Sequence, residues 1–207
     1  QKILAYALKE FCGITVDRRM IKTNVLGLNH FTWIDRAEYQ GRDLFQLYEK
    51  LVEKYGETGL EGVEKNHWAN KEFTSGNKVK FDLFKRYGLI AAAGDRHLAE
   101  FCPPWYLKNP EVVASWGFML TTVDKREQML EERLKRSRAL VSGEETFKFQ
   151  VTGEDGVYQI KALLGLEDFM CNVNLPNTGQ IQGLPKGAVV ESNAVFTRNR
   201  IIPVQAG

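Results

Sequence analysis

The spacing of the apolar residues changes along this 207-residue chain, and the change limits the folds that it can adopt. Before Phe169, apolar residues recur at helical intervals, as Leu4, Leu8 and Phe11 do near the start. From Phe169 onward, the chain consists of short β-type runs separated by Asn, Gly and Pro. We therefore predict a mixed α+β fold with more helix than strand.

The same patterns give the approximate bounds of the elements. Helices are predicted at 2–12, 43–55, 78–87, 122–141 and 157–164, and most of them are followed by a glycine that can end a helix. Residues 24–34 are predicted to form one buried strand that ends in polar groups. Residues 57–77 are polar and glycine-dotted, which indicates a loop or short irregular helices, and the last strand is predicted at 201–204.

Composition excludes several classes of protein. The 28 basic and 26 acidic residues give a net charge of +2, and no basic stripe is interleaved with aromatic residues, so we expect no nucleic-acid partner. No apolar run approaches the roughly 18 residues of a membrane span, so we expect no membrane partner. Three irregularly spaced cysteines, Cys12, Cys102 and Cys171, are typical of reduced thiols in a cytoplasmic protein.

Histidine is the commonest metal ligand, and the chain has three histidines. His67 stands beside Trp68 in a polar stretch and is predicted to lie at the surface. His30 follows an apolar run and adjoins Asn29, so it is either a metal ligand or a satisfied buried histidine. His97 belongs to a cluster of four ionisable groups within residues 95–100, which is either a solvated helix face or a site with shifted proton affinities.

A third polar group lies late in the chain. Strand alternation places Asn172 and Asn174 on one face, and Asn177 begins a turn toward Gly179. These residues either cap strands and turns or line a polar cleft.

Several of these segments together resemble family-four glycoside hydrolases. The run Val25–Ile34, which contains Asn29 and His30, is similar to a signature of that family. The segment Gly94–Phe101 with the following Pro103-Pro104-Trp105 is similar to its central region, and Val173–Ile181 to its late strand region. The resemblance covers essentially residues 1–207 and is to the family's C-terminal, substrate- and metal-binding domain.

The resemblance implies an enzyme of two domains, similar in plan to lactate dehydrogenase, whose N-terminal Rossmann half is missing here. No G-x-G-x-x-G element is present, so no NAD-binding residue is assigned in this chain, and the domain is expected to be truncated at both ends. Family members use NAD and a divalent metal, usually Mn²⁺. They oxidise C3 of the sugar, remove the C2 proton, eliminate the aglycone and add water, unlike carboxylate-pair glycosidases.

The resemblance also assigns roles by position. His30 matches the metal ligand, and Asn29 matches a substrate-contacting asparagine. Asp95 falls where the family carries the C2 base, and its neighbour Arg96 could keep it ionised. His97 and Arg96 are expected to contact substrate, and His97 or Tyr87 would be the base if Asp95 is not.

The segment around Asp95 is most similar to that of α-galacturonidases, and Arg96 suits a sugar carboxylate or pairs with a neighbouring acid. The expected partner is therefore a uronide, and we also expect a cytoplasmic homo-oligomer. For the sugar, the α-galactosidase and phospho-glucosidase branches of the family also stay open. Two other classes stay open from the sequence: a metal-independent dehydrogenase of the lactate or malate type, and a chain that is non-catalytic on its own.

Overall fold

The computed structural model describes residues 1–60, 75–149 and 154–205. Within them it contains the helices α1 (Lys2–Cys12), α2 (Phe45–Tyr55), α3 (Lys78–Tyr87), α4 (Asp95–Phe101), α5 (Pro110–Ser115), α6 (Val123–Ser142) and α7 (Gly156–Leu163). The strands are β1 (Lys22–Leu28), β2 (Phe31–Tyr39), β3 (Arg42–Asp43), β4 (Ile90–Ala91), β5 (Phe169–Pro176), β6 (Val189–Thr197) and β7 (Arg200–Pro203). The predicted α+β class is confirmed.

One antiparallel sheet organises these strands. Its order is β3-β2-β1-β6-β5, with β4 paired to β2 and β7 paired to β6. The pairing of Leu26 with Ser192 and of Gly27 with Glu191 joins β1 to β6. Distant parts of the chain therefore meet at the centre of the sheet, which sets the early Asn-His motif beside the late asparagine strand.

Helices cover parts of this sheet in three clusters of buried side chains. The largest cluster lies between α1, α2 and the first two strands, with Leu4, Leu8, Tyr48 and Leu51 fully buried. A second cluster gathers residues of α3, α4 and the segment up to Phe118. A third, smaller cluster packs α7 against β5 and β6. The helical stripes read from the sequence thus form the core-facing sides of α1, α2 and α3.

The structure corrects one predicted element outright. Residues 24–34 are not one strand, because Leu28 pairs with Phe31 and the chain reverses at Asn29 and His30. The other predicted bounds agree with the structure to within about two residues, and those of 2–12 and 78–87 agree fully. Part of the predicted loop at 57–77, including His67, lies outside the described residues.

Two further sequence expectations concern thiols and membranes. Cys12, Cys102 and Cys171 are unpaired and half-buried. Across the described ranges, no helix combines the length and the apolar character that crossing a bilayer requires.

Candidate functional site

A tight turn carries the first two candidate residues. Asn29 and His30 connect β1 to β2, and both side chains are exposed. His30 has a left-handed backbone with φ of 61°, a conformation in which His is enriched among non-glycine residues. Gly27, three residues earlier, has φ of 146°, and a Cβ there would lie 2.4 Å from the carbonyl oxygen of Phe31. Glycine therefore permits the close strand approach that presents His30.

A cleft of about 420 Å³ opens beside this turn. Asn29 and His30 line it on one side, and Asn172, Asn174 and Glu191 line it on the other. Asn174 lies opposite Glu191 in the β5–β6 register, so their side chains share one sheet face. The Nδ2 of Asn172 donates a hydrogen bond to Oε1 of Glu191 at 2.5 Å. The sheet thus presents amide and carboxylate groups to whatever enters the cleft.

His97 is brought against His30 by α4. The two imidazole rings stack with centroids 4.3 Å apart and planes 17° from parallel. Burial lowers the pKa of His97, and the nearby His30 and Arg96 lower it further, while Glu100, 3.5 Å from Nδ1, opposes the shift. The neutral form of His97 is therefore favoured beside His30.

Arg96 lies at the same end of the site. It is half-buried, and its guanidinium donates to Oγ1 of Thr121 at 2.5 Å and lies 3.5 Å from Nε2 of His97. The structure therefore brings together four of the five residues selected from the sequence: Asn29, His30, Arg96 and His97.

Asp95 stands apart from them. Its side chain is fully buried, and its Oδ1 accepts a hydrogen bond from the backbone N–H of Lys80 at 3.1 Å. Burial raises the pKa of Asp95, and the charge and backbone N–H of Lys80 only partly oppose this. We expected Arg96 to keep the carboxylate ionised, but desolvation dominates. Its role as the base stays a prediction, and this burial disfavours it.

Of the other residues considered from the sequence, some line the cleft and some do not. Asn172 and Asn174 line the cleft, whereas Asn177 is buried and holds a turn through bonds to the backbone of residues 179–184. Tyr87 is exposed and packs edge-on against Trp33. Cys12 is partly buried and packs at the edge of the first core cluster.

Sequence reasoning missed Glu191 as a site residue. It is the carboxylate among the described residues that line the cleft, and it reaches that place only because β6 lies between β1 and β5. Its signal was present in the strand pattern, because Glu191 is a charged residue in an otherwise apolar and small-residue run. The neighbours of Glu191 depend on the order of strands in the sheet, and the local spacing of apolar residues does not reveal that order.

A divalent metal fits His30 as one ligand from this chain. The imidazole is exposed at the lip of a cleft that also contains amide oxygens and a carboxylate, which are groups suited to metal and sugar oxygens. Among the described residues, no group of three or more His, Cys, Asp or Glu side chains is placed to enclose an ion. A complete coordination shell therefore needs ligands in addition to those described here.

Comparison of the fold identifies the class of protein. The crystal structure of Bacillus subtilis LplD matches the whole chain with a TM-score of 0.89 and 46% identity, and the chain covers 47% of it. The Thermotoga maritima 6-phospho-β-glucosidase, solved with manganese, NAD⁺ and glucose-6-phosphate, shares the fold at a TM-score of 0.59 and 18% identity over 99% of this chain and 42% of that protein. The chain thus has the fold of somewhat less than half of each of these two proteins.

Sequence comparison is more specific. Residues 25–207 match the model of the family 4 glycosyl hydrolase C-terminal domain, and the chain belongs to that family. It is 57% identical to an α-galacturonidase of Thermoanaerobacterium saccharolyticum and 47% identical to one of Bacillus subtilis, over its whole length in both cases. A Bacillus subtilis α-galactosidase is 25% identical over 95% of the chain and is covered to 42%. The chain spans about half the length of the curated relatives, at 45% and 46% of the two α-galacturonidases.

Proposed function

We propose that the complete protein containing this chain hydrolyses α-galacturonides with the help of NAD and a divalent metal, usually Mn²⁺. The observation that carries the proposal is the exposed Asn29–His30 turn at the lip of a polar cleft. The identity to α-galacturonidases, roughly twice that to the α-galactosidase, supports the choice of sugar. Membership of the glycosidase family weighs against the dehydrogenase alternative.

In this proposal His30 holds the metal through its exposed imidazole. When bound, the metal supplies Lewis-acid stabilisation to negative charge on the sugar oxygens, as proton loss next to a carbonyl requires. His97 stacks on His30 and limits the orientations of that ring. A ligand that is held in place by packing is preorganised for binding.

The polar side chains that line the cleft would bind the sugar hydroxyls. The amides of Asn29, Asn172 and Asn174 can each donate and accept, and the carboxylate of Glu191 accepts. A hydroxyl both donates and accepts, so these groups complement a sugar ring.

The charged side chains near the cleft predict which way the carboxylate of a bound uronide points. The described residues that line the cleft include the acidic Glu191 and no Lys or Arg, so a sugar carboxylate is disfavoured at the β5–β6 side. Arg96 lies beside His97, whose ring stacks on the cleft residue His30. We therefore place the uronide carboxylate toward Arg96, whose guanidinium suits a carboxylate.

The test of the proposal is the variant His30→Ala in the complete protein. Loss of a metal ligand should weaken Mn²⁺ binding more than about 100-fold, since losing only a ligand's hydrogen-bonded partner costs about 10- to 100-fold. Titration calorimetry measures the binding, and release of nitrophenol from a nitrophenyl α-galacturonide measures the activity. The matched control is Gln40→Ala, which changes another exposed turn residue with positive φ, 51°, between β2 and β3.

The metal ligand and the substrate are tested separately. Retained Mn²⁺ affinity in His30→Ala would remove His30 from the metal site. Hydrolysis of a nitrophenyl α-galactoside faster than the galacturonide by the unaltered protein would remove the proposed substrate, whatever His30 does.

A further inference from the structure

Helix α6 projects from the rest of the described chain. None of its 20 residues is buried, although the helix is about 30 Å long at 1.5 Å per residue. Four large apolar side chains on it are exposed: Val123 by 70%, Leu130 by 56%, Leu134 by 47% and Val141 by 91%. Met129, Ala139 and Leu140, on other sides of the helix, are only partly buried. A 20-residue helix with so little burial gains little from propensity alone, so a packing partner for its exposed apolar side would stabilise it.

These apolar residues follow a heptad seam. The positions 123, 127, 130, 134, 137 and 141 are separated alternately by four and three residues, which is the spacing of the a and d positions of a coiled coil. Four of these six positions are apolar, and the two others are Glu127 and Ser137. This spacing favours packing against another helix over packing against a flat surface.

The order of residues along the seam is the same in both directions. Read from either end it runs apolar, polar, apolar, apolar, polar, apolar, with its midpoint at Glu132. In an antiparallel pair of two such helices, Val123 meets Val141, Leu130 meets Leu134, and Glu127 meets Ser137. In a parallel pair, Glu127 would meet its own copy and place two like charges in the seam, which is unfavourable.

Charge favours the same arrangement. The first half of α6, residues 123–132, contains four acidic and two basic residues, whereas residues 133–142 contain four basic and no acidic residues. An antiparallel copy sets the acidic half of each helix beside the basic half of the other, and a parallel copy sets like halves together. Complementary potentials of this kind select partner and orientation.

We propose that α6 is an interface between two copies of this chain, in which the two α6 helices pack antiparallel about a two-fold axis near Glu132. Such a contact is isologous, because the same patch is used on both copies and the assembly closes as a dimer. The proposal does not depend on the substrate or the metal.

The first test is the variant Leu134→Arg in the complete protein, measured by sedimentation velocity. Two copies of the substitution lie next to Leu130 at the centre of the seam, so the dimer dissociation constant should rise at least about 30-fold, as for a buried interface anchor. The control is Gln128→Arg, which adds the same side chain at an exposed position outside the seam. Because Leu134 is not buried within the described chain, the variant should keep its fold, and circular dichroism checks this.

The second test fixes the orientation. A mixture of a Glu127→Cys protein with a Ser137→Cys protein should form a disulfide-linked heterodimer, identified by mass spectrometry of the linked peptides, whereas neither variant should cross-link through these positions alone. Cross-linking of Glu127→Cys with itself would overturn the antiparallel arrangement. A monomeric unaltered protein, or an unchanged mass for Leu134→Arg with a lowered melting temperature, would overturn the interface and assign α6 to contacts within one polypeptide.

Discussion

Gly27 fixes the geometry of the candidate metal ligand although it carries no functional group. Its φ is 146°, and an added Cβ would meet Phe31 O at 2.4 Å and Thr32 Cα at 2.9 Å. Both contacts are with backbone atoms of β2, which cannot move aside without opening the hairpin. The position of His30 therefore depends on a glycine three residues away.

We expect Gly27→Ala to lower the free energy of unfolding by about 2 kcal/mol or more, because strain at positive φ adds to the steric clash. Urea denaturation measures the loss. The comparison is Gly94→Ala, at a position with φ of −74° and open space around a new Cβ. There the loss of a good N-cap residue and the gain from a less flexible unfolded chain should largely offset, so a change within about 0.5 kcal/mol is expected. Equal stability of the two variants would show that the hairpin tolerates a side chain.

Asp95 allows a pH test of its environment. Burial raises its pKa in the folded protein above the ordinary value of 3.8, so the folded state binds more protons than the unfolded state above that pH. Its contribution to stability is then present below pH 3.8 and is lost as pH rises through the folded pKa. The neutral Asn side chain does not titrate, so the stability of Asp95→Asn relative to the unaltered protein should increase from about pH 4 to pH 7.

Unfolding in urea at several pH values measures this difference. The control is Asp168→Asn, which makes the same change at an exposed position. The opposite slope, with the unaltered protein gaining on Asp95→Asn as pH rises, would mean that the carboxylate is stabilised in its ionised form. That result would restore the sequence-based assignment of Asp95 as an ionised base.

At the scale of elements, apolar spacing predicted α1, α2 and α3 well because each of these helices buries one apolar stripe, as α1 does with Leu4 and Leu8. It failed at residues 24–34, where apolar residues stand close on both sides of a two-residue turn. Their spacing suggests one strand, although they belong to two. The turn residues are Asn and His rather than the Asn-Gly or Asp-Gly that mark most such hairpins. Local sequence also did not show that β6 lies beside β1, which is what places Glu191 and Asn174 opposite His30.

The loop between β5 and β6 depends on Asn177. Its Nδ2 donates to the carbonyl oxygens of Ile181 and Leu184, each at 3.0 Å, and its Oδ1 accepts from the N–H groups of Gly179 and Ile181, each at 3.2 Å. The amide supplies an acceptor oxygen and a separate NH₂ group with two donor hydrogens, which these four bonds require, and the side chain is 2% exposed.

Asn177→Asp places a carboxylate oxygen against two carbonyl oxygens, so we expect it to cost about 2–4 kcal/mol of unfolding free energy. Thermal unfolding followed by circular dichroism measures the cost. Asn199→Asp makes the same chemical change at an exposed turn residue between β6 and β7 and should stay within about 0.5 kcal/mol. A similar small effect at both positions would mean that the loop does not rely on these four hydrogen bonds.

At the scale of the whole molecule, the described residues supply a cleft and one candidate metal ligand, while the sequence lacks a glycine-rich nucleotide-binding motif. Under the proposed function, hydride removal from the sugar requires NAD, so this 207-residue chain by itself should not hydrolyse a nitrophenyl α-galacturonide when NAD⁺ and Mn²⁺ are supplied. The complete protein, assayed under the same conditions, is the positive control. Circular dichroism of the isolated chain must first show helix and strand, so that inactivity is not a consequence of unfolding. Turnover by the folded chain would mean that its own cleft residues, Glu191 among them, catalyse hydrolysis without the nucleotide, and the NAD-dependent proposal would then fail.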